Sequence, residues 1–269
     1  MNKIRCFLNP ILLIALLPIY TFAMSDVAAA EANLEVAEII NELFVEAVHT
    51  RESCGGNLTG CEVNLQKRVE DFHLIVAGQD SFLSDEVAQA AASALERTLS
   101  QISRSTGLKP IFEKPVGPVA PVFLVFVNRE QYMDNSEGFI SARVAPSSLG
   151  QYEDRIHYFN VLMKSDLRCL YYSTAYDDGV IQDVQIWIKV EISPEEMVEC
   201  ISEELFNSMG IDDGEDYPGI FDWPGVDADK RNGSKGLDLI HLSFLERLYQ
   251  PDMKPNQTIQ ETKRLLGIE

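Results

Sequence analysis

The chain has 269 residues, with 42 acidic and 22 basic side chains, and its net charge is −20. Such an acidic surface repels nucleic acid and anionic membranes, which argues against nucleic-acid and lipid-headgroup binding as its task. The apolar content of 46% is ordinary for a globular protein, so the chain is long and apolar enough to build a proper core.

The N-terminus has the three parts of a secretory signal peptide. Lys3 and Arg5 precede an apolar run over residues 11–19, and small residues then offer cleavage after Ala23 or after Ala30. The run is short for a bilayer-spanning helix, so a retained signal anchor is the less favoured alternative. We therefore expect export to the periplasm or the medium, with no stable membrane insertion after cleavage.

Four cysteines remain after cleavage: Cys54, Cys61, Cys169 and Cys200. An even number in an oxidising compartment predicts two disulfides, for which three pairings exist. Cys54 and Cys61 flank a glycine-containing loop that can close locally, and this pairing leaves Cys169 with Cys200. The cysteines lack zinc-finger spacing, so we interpret them as structural.

In the first half of the chain, hydrophobic periodicity predicts two helices and two strands. An amphipathic helix is expected over residues 32–50, and a strand over residues 69–77. Ser84 is a suitable N-cap for the next helix, which Gly107 ends. After a Pro- and Gly-rich loop, the apolar run over residues 122–127 is typical of a central strand buried on both faces.

The second half is predicted to hold a hairpin between helices. Asn128 is expected to cap a short helix, and residues 134–155 are expected to be rich in loops. In the strand that contains Trp187, this residue lies on the opposite face from Ile186. The hairpin strands span residues 168–176 and 180–190, and the closing helices span 194–209 and 236–249. This order indicates an α+β fold, a mixed sheet with flanking helices, stabilised by disulfides.

The helix that begins at Ser193 carries the chain's main motif. Ser193 and Glu196 form a capping box, and Gly210 is suited to the left-handed residue that follows the helix. Glu203 and Asn207 are four residues apart and therefore share one helix face. The simplest interpretation is that they form a solvated or hydrogen-bonded face of an ordinary helix.

This helix resembles the active-site helix of the metzincin metallopeptidases, His-Glu-x-x-His-x-x-Gly-x-x-His/Asp, with changed ligands. Carried over by position, Glu203 and Asn207 replace the two histidine ligands, and Asp213 takes the place of the third ligand. The resemblance implies that Glu204 is the general base and that Gly210 makes the turn after the helix.

Further segments extend the resemblance over most of residues 65–255. Residues 217–221 lie where metzincins have their Met-turn, with Phe221 near the methionine position, and residues 236–249 are similar to the closing helix of matrixins. Residues 200–210, 220–221 and 248–251 also resemble a family of exported bacterial proteins, domain of unknown function 2927. That family implies no established activity.

The predicted ligand set does not suit zinc, which prefers imidazole and thiolate. Oxygen ligands alone suit another divalent cation, unless His241 or His157 approaches the site. Acidic side chains also crowd the helix end, where the dipole disfavours negative charge and a cation or a basic partner would relieve it. The neighbouring Glu203 and Glu204 point about 100° apart, which argues against a glycosidase pair.

Two functions follow from these observations. The first is a zincin-like protein without peptidase activity that acts as a binding or envelope-associated module, with a protein or peptide partner. The second is a metal-dependent hydrolase with oxygen ligands and Glu204 as general base. The predicted organisation is a signal peptide (1–23), an N-terminal helix with the cysteine loop (24–64), a zincin-like domain (65–255) and a C-terminal tail (256–269).

Overall fold

The computed structural model describes residues 38–51, 61–78, 83–113, 121–144, 152–212 and 237–268. By its internal contacts the chain divides into a unit of residues 1–44 and a larger unit, Val45–Gly267. The predicted signal peptide lies outside the described residues. Among the helices described, none has the length and apolar character needed to cross a membrane.

The described helices agree with most of the predicted ones. They are α1 (described over 38–49), α2 (Asp85–Thr106), α3 (Arg129–Asp134), α4 (Ser136–Arg143), α5 (Tyr152–Lys164), α6 (Pro194–Asn207), α7 (Leu239–Leu248) and α8 (Ile259–Leu266). The Ser84 side chain accepts a hydrogen bond from the backbone N–H of Val87, and Gly107 ends α2 with φ of 78°. These caps confirm the predicted bounds of α2.

The strands form a two-stranded ribbon and one mixed five-stranded sheet. They are β1 (Thr50–Arg51), β2 (Cys61–Glu62), β3 (Phe72–Ala77), β4 (Pro110–Ile111), β5 (Val122–Val127), β6 (Cys169–Ala175) and β7 (Ile181–Lys189). The large sheet has the order β4-β3-β5-β7-β6, in which only β6 runs antiparallel to its neighbour. The apolar strand β5 lies at its centre, as its sequence predicts.

A disulfide fixes which face of the sheet α6 covers. Cys169 on β6 is bonded to Cys200 on α6, which confirms this predicted pairing. Cys169 lies opposite Ile188 in the ladder, and Tyr171 lies opposite Ile186, so all four side chains belong to the face that α6 covers. Helix α2 packs beside α6, and the hydroxyls of Thr98 and Ser202 meet there at 3.1 Å.

The opposite face of the sheet carries an aromatic core. Trp187 lies on this face, as predicted. It is fully buried there, and its ring packs edge-on against Phe159 of α5. Tyr132 of α3 and Phe139 of α4 complete the cluster. Helices α3 to α5 therefore cover one face of the sheet, and α2 and α6 cover the other.

The loop-rich interpretation of residues 134–155 is wrong. Helix α4 lies inside that stretch, and α5 begins at its end. The buried side of α5 includes Arg155, which forms an ion pair with Asp183 of β7. A charged residue in the buried stripe breaks the apolar 3.6-residue pattern by which such helices are recognised.

The predicted C-terminal tail also contains a helix. Thr258 and Glu261 form a capping box at the start of α8, and Gly267 ends the helix with φ of 69°. Cys61 is disulfide-bonded as predicted, whereas Cys54 lies outside the described residues, so that pairing stays a prediction.

A segment of four residues, 65–68, ties several elements together, and we call it the clamp segment. Its Leu65, Lys67 and Arg68 are buried. Leu65 exchanges backbone hydrogen bonds with Asn256 and Gln257. Lys67 bonds in the same way to Gly179 and Ile181, at the turn of the hairpin. The clamp segment therefore connects the hairpin to the chain before α8. Its Gln66 and Arg68 also contact the residues that follow α6.

Candidate functional site

The start of α6 is built as the sequence predicts. The Ser193 side chain accepts from the backbone N–H of Glu196, and the Glu196 carboxylate accepts from the backbone N–H of Ser193. Pro194 occupies the first turn, where its missing N–H is not needed. On the outer side of α6, Arg168 lies 3.2 Å from Glu199 in an exposed ion pair, which adds little stability.

The end of α6 needs glycine for two reasons. Gly210 has φ of 106°, a backbone conformation that residues with a Cβ rarely adopt. A Cβ at this position would also lie 2.0 Å from the backbone oxygen of Gln66 in the clamp segment. The tight approach of two backbones is therefore what places the end of the helix.

Three side chains donate to three consecutive carbonyl groups just after α6. Arg68 Nε lies 3.1 Å from the oxygen of Ser208, and the Tyr249 hydroxyl lies 3.1 Å from the oxygen of Met209. Arg51 Nη2 is 3.4 Å from the oxygen of Gly210. Two guanidinium groups thus face the negative end of the helix dipole, where positive charge is favourable.

Arg68 keeps its charge although it is buried. It lowers the pKa of the fully buried Arg68 guanidinium to about 10, which leaves the group charged at neutral pH. The acidic side chains at this helix end predicted a cation or a basic partner, and Arg51 and Arg68 place positive charge on the carbonyl groups there.

A tyrosine and two buried acidic residues lie near the same end of α6. Tyr171 of β6 donates from its hydroxyl to Asp212 Oδ2 at 2.8 Å, and the backbone N–H of Asp212 donates to Ala47 at 2.7 Å. Burial raises the pKa of Tyr171 well above its usual value, and the negative charges of Asp212 and Glu204 raise it further, while Arg51 opposes them. Tyr171 therefore remains a hydrogen-bond donor at neutral and moderately alkaline pH.

The predicted site residues differ in their surroundings. Glu204 is 5% exposed and Asn207 is 4% exposed, whereas Glu203 is half-buried. Asp213, the predicted third ligand, and Phe221, near the position of the Met-turn methionine, lie outside the described residues. Among the residues that are described, no three His, Cys, Asp or Glu side chains are grouped as a metal would require.

The Asn207 amide oxygen is buried and makes no hydrogen bond to any described residue. An oxygen acceptor held in this way is costly unless some donor or cation meets it. It is the feature of α6 that most directly allows for a ligand.

The two histidines considered as extra ligands are engaged or distant. His157 is exposed on α5, on the opposite face of the sheet from α6. His241 Nδ1 lies 2.6 Å from Asp238 at the start of α7, and its buried ring packs edge-on against Phe206. His157 is therefore excluded as a ligand by its place in the fold, and His241 serves the capping box of α7.

Sequence reasoning did not find Tyr171, Arg51 or Arg68. A signal for Tyr171 was present, because alternation along β6 places it on the same face as Cys169, and so toward α6. The two arginines had no such signal, since they reach α6 from segments distant in sequence.

The arrangement is suited to holding buried charge and a hydrogen-bonded carboxylate at the end of a helix. The atoms that could serve as metal ligands here are carboxylate, amide and phenol oxygens. Among the described residues there is no imidazole or thiolate cluster for zinc. Comparison of the chain with family models, with curated proteins and with solved structures finds no match.

Proposed function

We propose that the chain is an exported, zincin-like protein without peptidase activity, which acts as a binding module in the cell envelope or outside the cell. The burial of Glu204 carries this proposal. A general base must reach both a water molecule and the substrate, whereas Glu204 is 5% exposed and lies in the electrostatic surroundings of Tyr171. A carboxylate buried in this way is poorly placed for proton transfer to a substrate.

The chemistry of the predicted ligands supports the same proposal. Glu203, Asn207 and Asp213 offer only oxygen atoms, and zinc does not fit such a set as it fits histidine. The resemblance to metzincins and to domain of unknown function 2927 is thus proposed for the scaffold, and metzincin chemistry is not proposed with it.

The outer edge of β6 is a suitable place for an extended peptide partner. β6 is the end strand of the sheet among the described residues. The backbone N–H of Lys189 donates to the backbone oxygen of Arg168, so these two residues form a hydrogen-bonded pair of the ladder. Because such pairs alternate in an antiparallel ladder, the backbone N–H and C=O groups of Cys169, Tyr171 and Ser173 point away from β7. A peptide could add to these groups as a further strand.

One substitution tests this binding role. Proline is tolerated on an edge strand where its missing N–H faces outward, so Ser173→Pro should keep the β6–β7 pair and remove one donor for a peptide. The measurement is selection from a display library of random peptides of about ten residues on the wild-type protein, followed by affinity measurement with both variants.

We expect the selected peptides to bind Ser173→Pro about tenfold more weakly than the matched control Ser173→Ala, which keeps the N–H. Circular dichroism should show that both variants are folded. Equal affinities would remove β6 as the binding edge, and cleavage of the peptides that disappears in Glu204→Gln would overturn the proposal of a non-peptidase.

The alternative is a metal-dependent hydrolase, and the buried Asn207 oxygen favours it. Metal analysis of protein purified without chelator, with calorimetric titration of calcium, magnesium and manganese, distinguishes the two functions. Stoichiometric binding that Asn207→Leu abolishes would support the hydrolase. If none of the three cations binds, the hydrolase alternative is eliminated.

A further inference from the structure

His49, the last residue of α1, joins three parts of the chain through its ring. Its Nδ1 lies 2.9 Å from the backbone oxygen of Val63, and its Nε2 lies 2.8 Å from the hydroxyl oxygen of Thr262. A carbonyl can only accept, so Nδ1 carries the proton. In the neutral ring, Nε2 then accepts from the Thr262 hydroxyl. The imidazole, 1% exposed, is thus fully engaged when it is uncharged.

The contact is made by the most buried of the described side chains of helix α8. Thr262 is completely buried, while the other described side chains of α8 are exposed or half-buried. The capping box of Thr258 and Glu261 is local to α8 and attaches it to nothing else. Beyond the backbone bonds of residues 256 and 257 to the clamp segment, the hydroxyl of Thr262 is the deepest attachment of the helix.

Protonation of His49 would disturb the attachment in two ways. Nε2 would become a donor, so the Thr262 hydroxyl would have to turn and lose its own acceptor. The new charge would also be buried, facing Arg51 of β1 and Lys263 of α8, with Glu62 of β2 as the opposing negative group. Burial is the main cause that lowers the pKa of His49, and the two cations add to it, while the hydrogen bond to Val63 and the charge of Glu62 act in the opposite direction.

We propose that His49 and Thr262 form a pH-sensitive latch that holds α8 in place at neutral pH and releases it in mildly acidic surroundings. The bound form requires a neutral imidazole, whereas the released form exposes the ring to water. An exported protein would meet such a change of pH directly, because its compartment is not buffered by the cytoplasm.

The direction of the effect follows from proton binding. The released state takes up a proton at the usual pKa of about 6.5, while the attached state resists it. Release is therefore promoted as pH falls below this value, and the equilibrium constant for release rises by up to about tenfold between pH 7.5 and 5.5.

Hydrogen exchange followed by mass spectrometry, corrected for the intrinsic pH dependence of exchange, measures the latch. In the full-length protein, the amides of residues 259–266 should lose up to about tenfold in protection between pH 7.5 and 5.5. His49→Gln, which cannot be protonated, should show no such loss. Thr262→Val should lack protection already at pH 7.5, and Thr262→Ser should behave as the wild type.

Protection of α8 that does not change with pH in the wild type would overturn the proposal, as would an equal change in His49→Gln. If His49→Gln does not fold, an NMR titration of the wild-type imidazole provides the decision. A midpoint below 6.5, with α8 signals that change in the same range, supports the latch. A midpoint at or above 6.5, or α8 signals that stay constant, contradicts it.

Discussion

The two faces of the sheet treat buried charge in different ways. On the face covered by α5, the fully buried Arg155 pairs directly with the carboxylate of Asp183. The Arg155 guanidinium also lies over the ring of Tyr172, 5.6 Å from its centre. This charge pair lies beside an aromatic core and is balanced within the fold.

On the face covered by α6, buried charged groups form hydrogen bonds with the backbone and with a phenol. Arg51 and Arg68 donate to backbone carbonyl groups, while the carboxylate of Asp212 accepts from Tyr171. The oxygen of Asn207 remains without a hydrogen bond from the described residues. The buried Asn207 oxygen is an acceptor that a ligand could meet, so we propose the α6 face as the functional one.

Replacement of Arg155 should give the largest effect and tests the α5 side of this comparison. Arg155→Met leaves the Asp183 carboxylate buried without its cation, which should cost about 3–5 kcal/mol in the free energy of unfolding. Arg68→Met removes the donor to the carbonyl of Ser208 and should cost about 1–3 kcal/mol. Urea unfolding followed by fluorescence of the buried Trp187 measures both.

The double variant Arg155→Met/Asp183→Leu is the control for the α5 face. With both charges removed, it should recover to within about 1 kcal/mol of the wild type. An equal loss in Arg155→Met and Arg68→Met, or no recovery in the double variant, would show that the two faces do not differ.

The sequence predicted those parts of the fold whose signals are local. Caps at Ser84 and Ser193, the apolar run of β5 and the hairpin of β6 and β7 all depend on residues close in sequence, and each of these predicted elements is present. The pairing of Cys169 with Cys200 was found because few alternatives existed.

The parts that sequence did not predict depend on long-range contacts. The ion pair of Arg155 hides the apolar stripe of α5, and β4 has only two residues. At the candidate site, Arg68 and Tyr249 reach α6 from segments 140 and 40 residues away along the chain. No local pattern reports such contacts, so the helix was predictable but its surroundings were not.

Two glycines test how tightly the end of α6 is held. Gly210 and Gly107 both have positive φ, but a Cβ at Gly107 would meet nothing within 4 Å, whereas at Gly210 it would meet the backbone of Gln66. Gly107→Ala should cost about 1 kcal/mol, from backbone strain alone. Gly210→Ala should cost about 3 kcal/mol or more, because two backbones must also separate.

Thermal and urea unfolding of the two glycine variants provide the comparison. Similar losses would mean that the clamp segment yields easily and does not position α6. A clearly larger loss in Gly210→Ala than in Gly107→Ala would locate the rigid part of the molecule on the α6 face.

The smallest expected effect concerns Tyr171 and its pH dependence. Tyr171→Phe removes the donor to the buried Asp212 and should cost about 1–2 kcal/mol at pH 7, whereas the exposed Tyr176→Phe should cost less than about 0.5 kcal/mol.

The raised pKa of Tyr171 adds a second signature. The unfolded chain loses the phenol proton near pH 10 while the folded chain keeps it, so stability falls as pH rises above about 10. Burial also raises the pKa of Tyr172 and Tyr249, so Tyr171→Phe should reduce this alkaline loss without abolishing it. Urea unfolding at pH 7, 9 and 10.5 measures the difference, and an alkaline loss identical to that of the wild type would contradict the burial of the Tyr171 hydroxyl against Asp212.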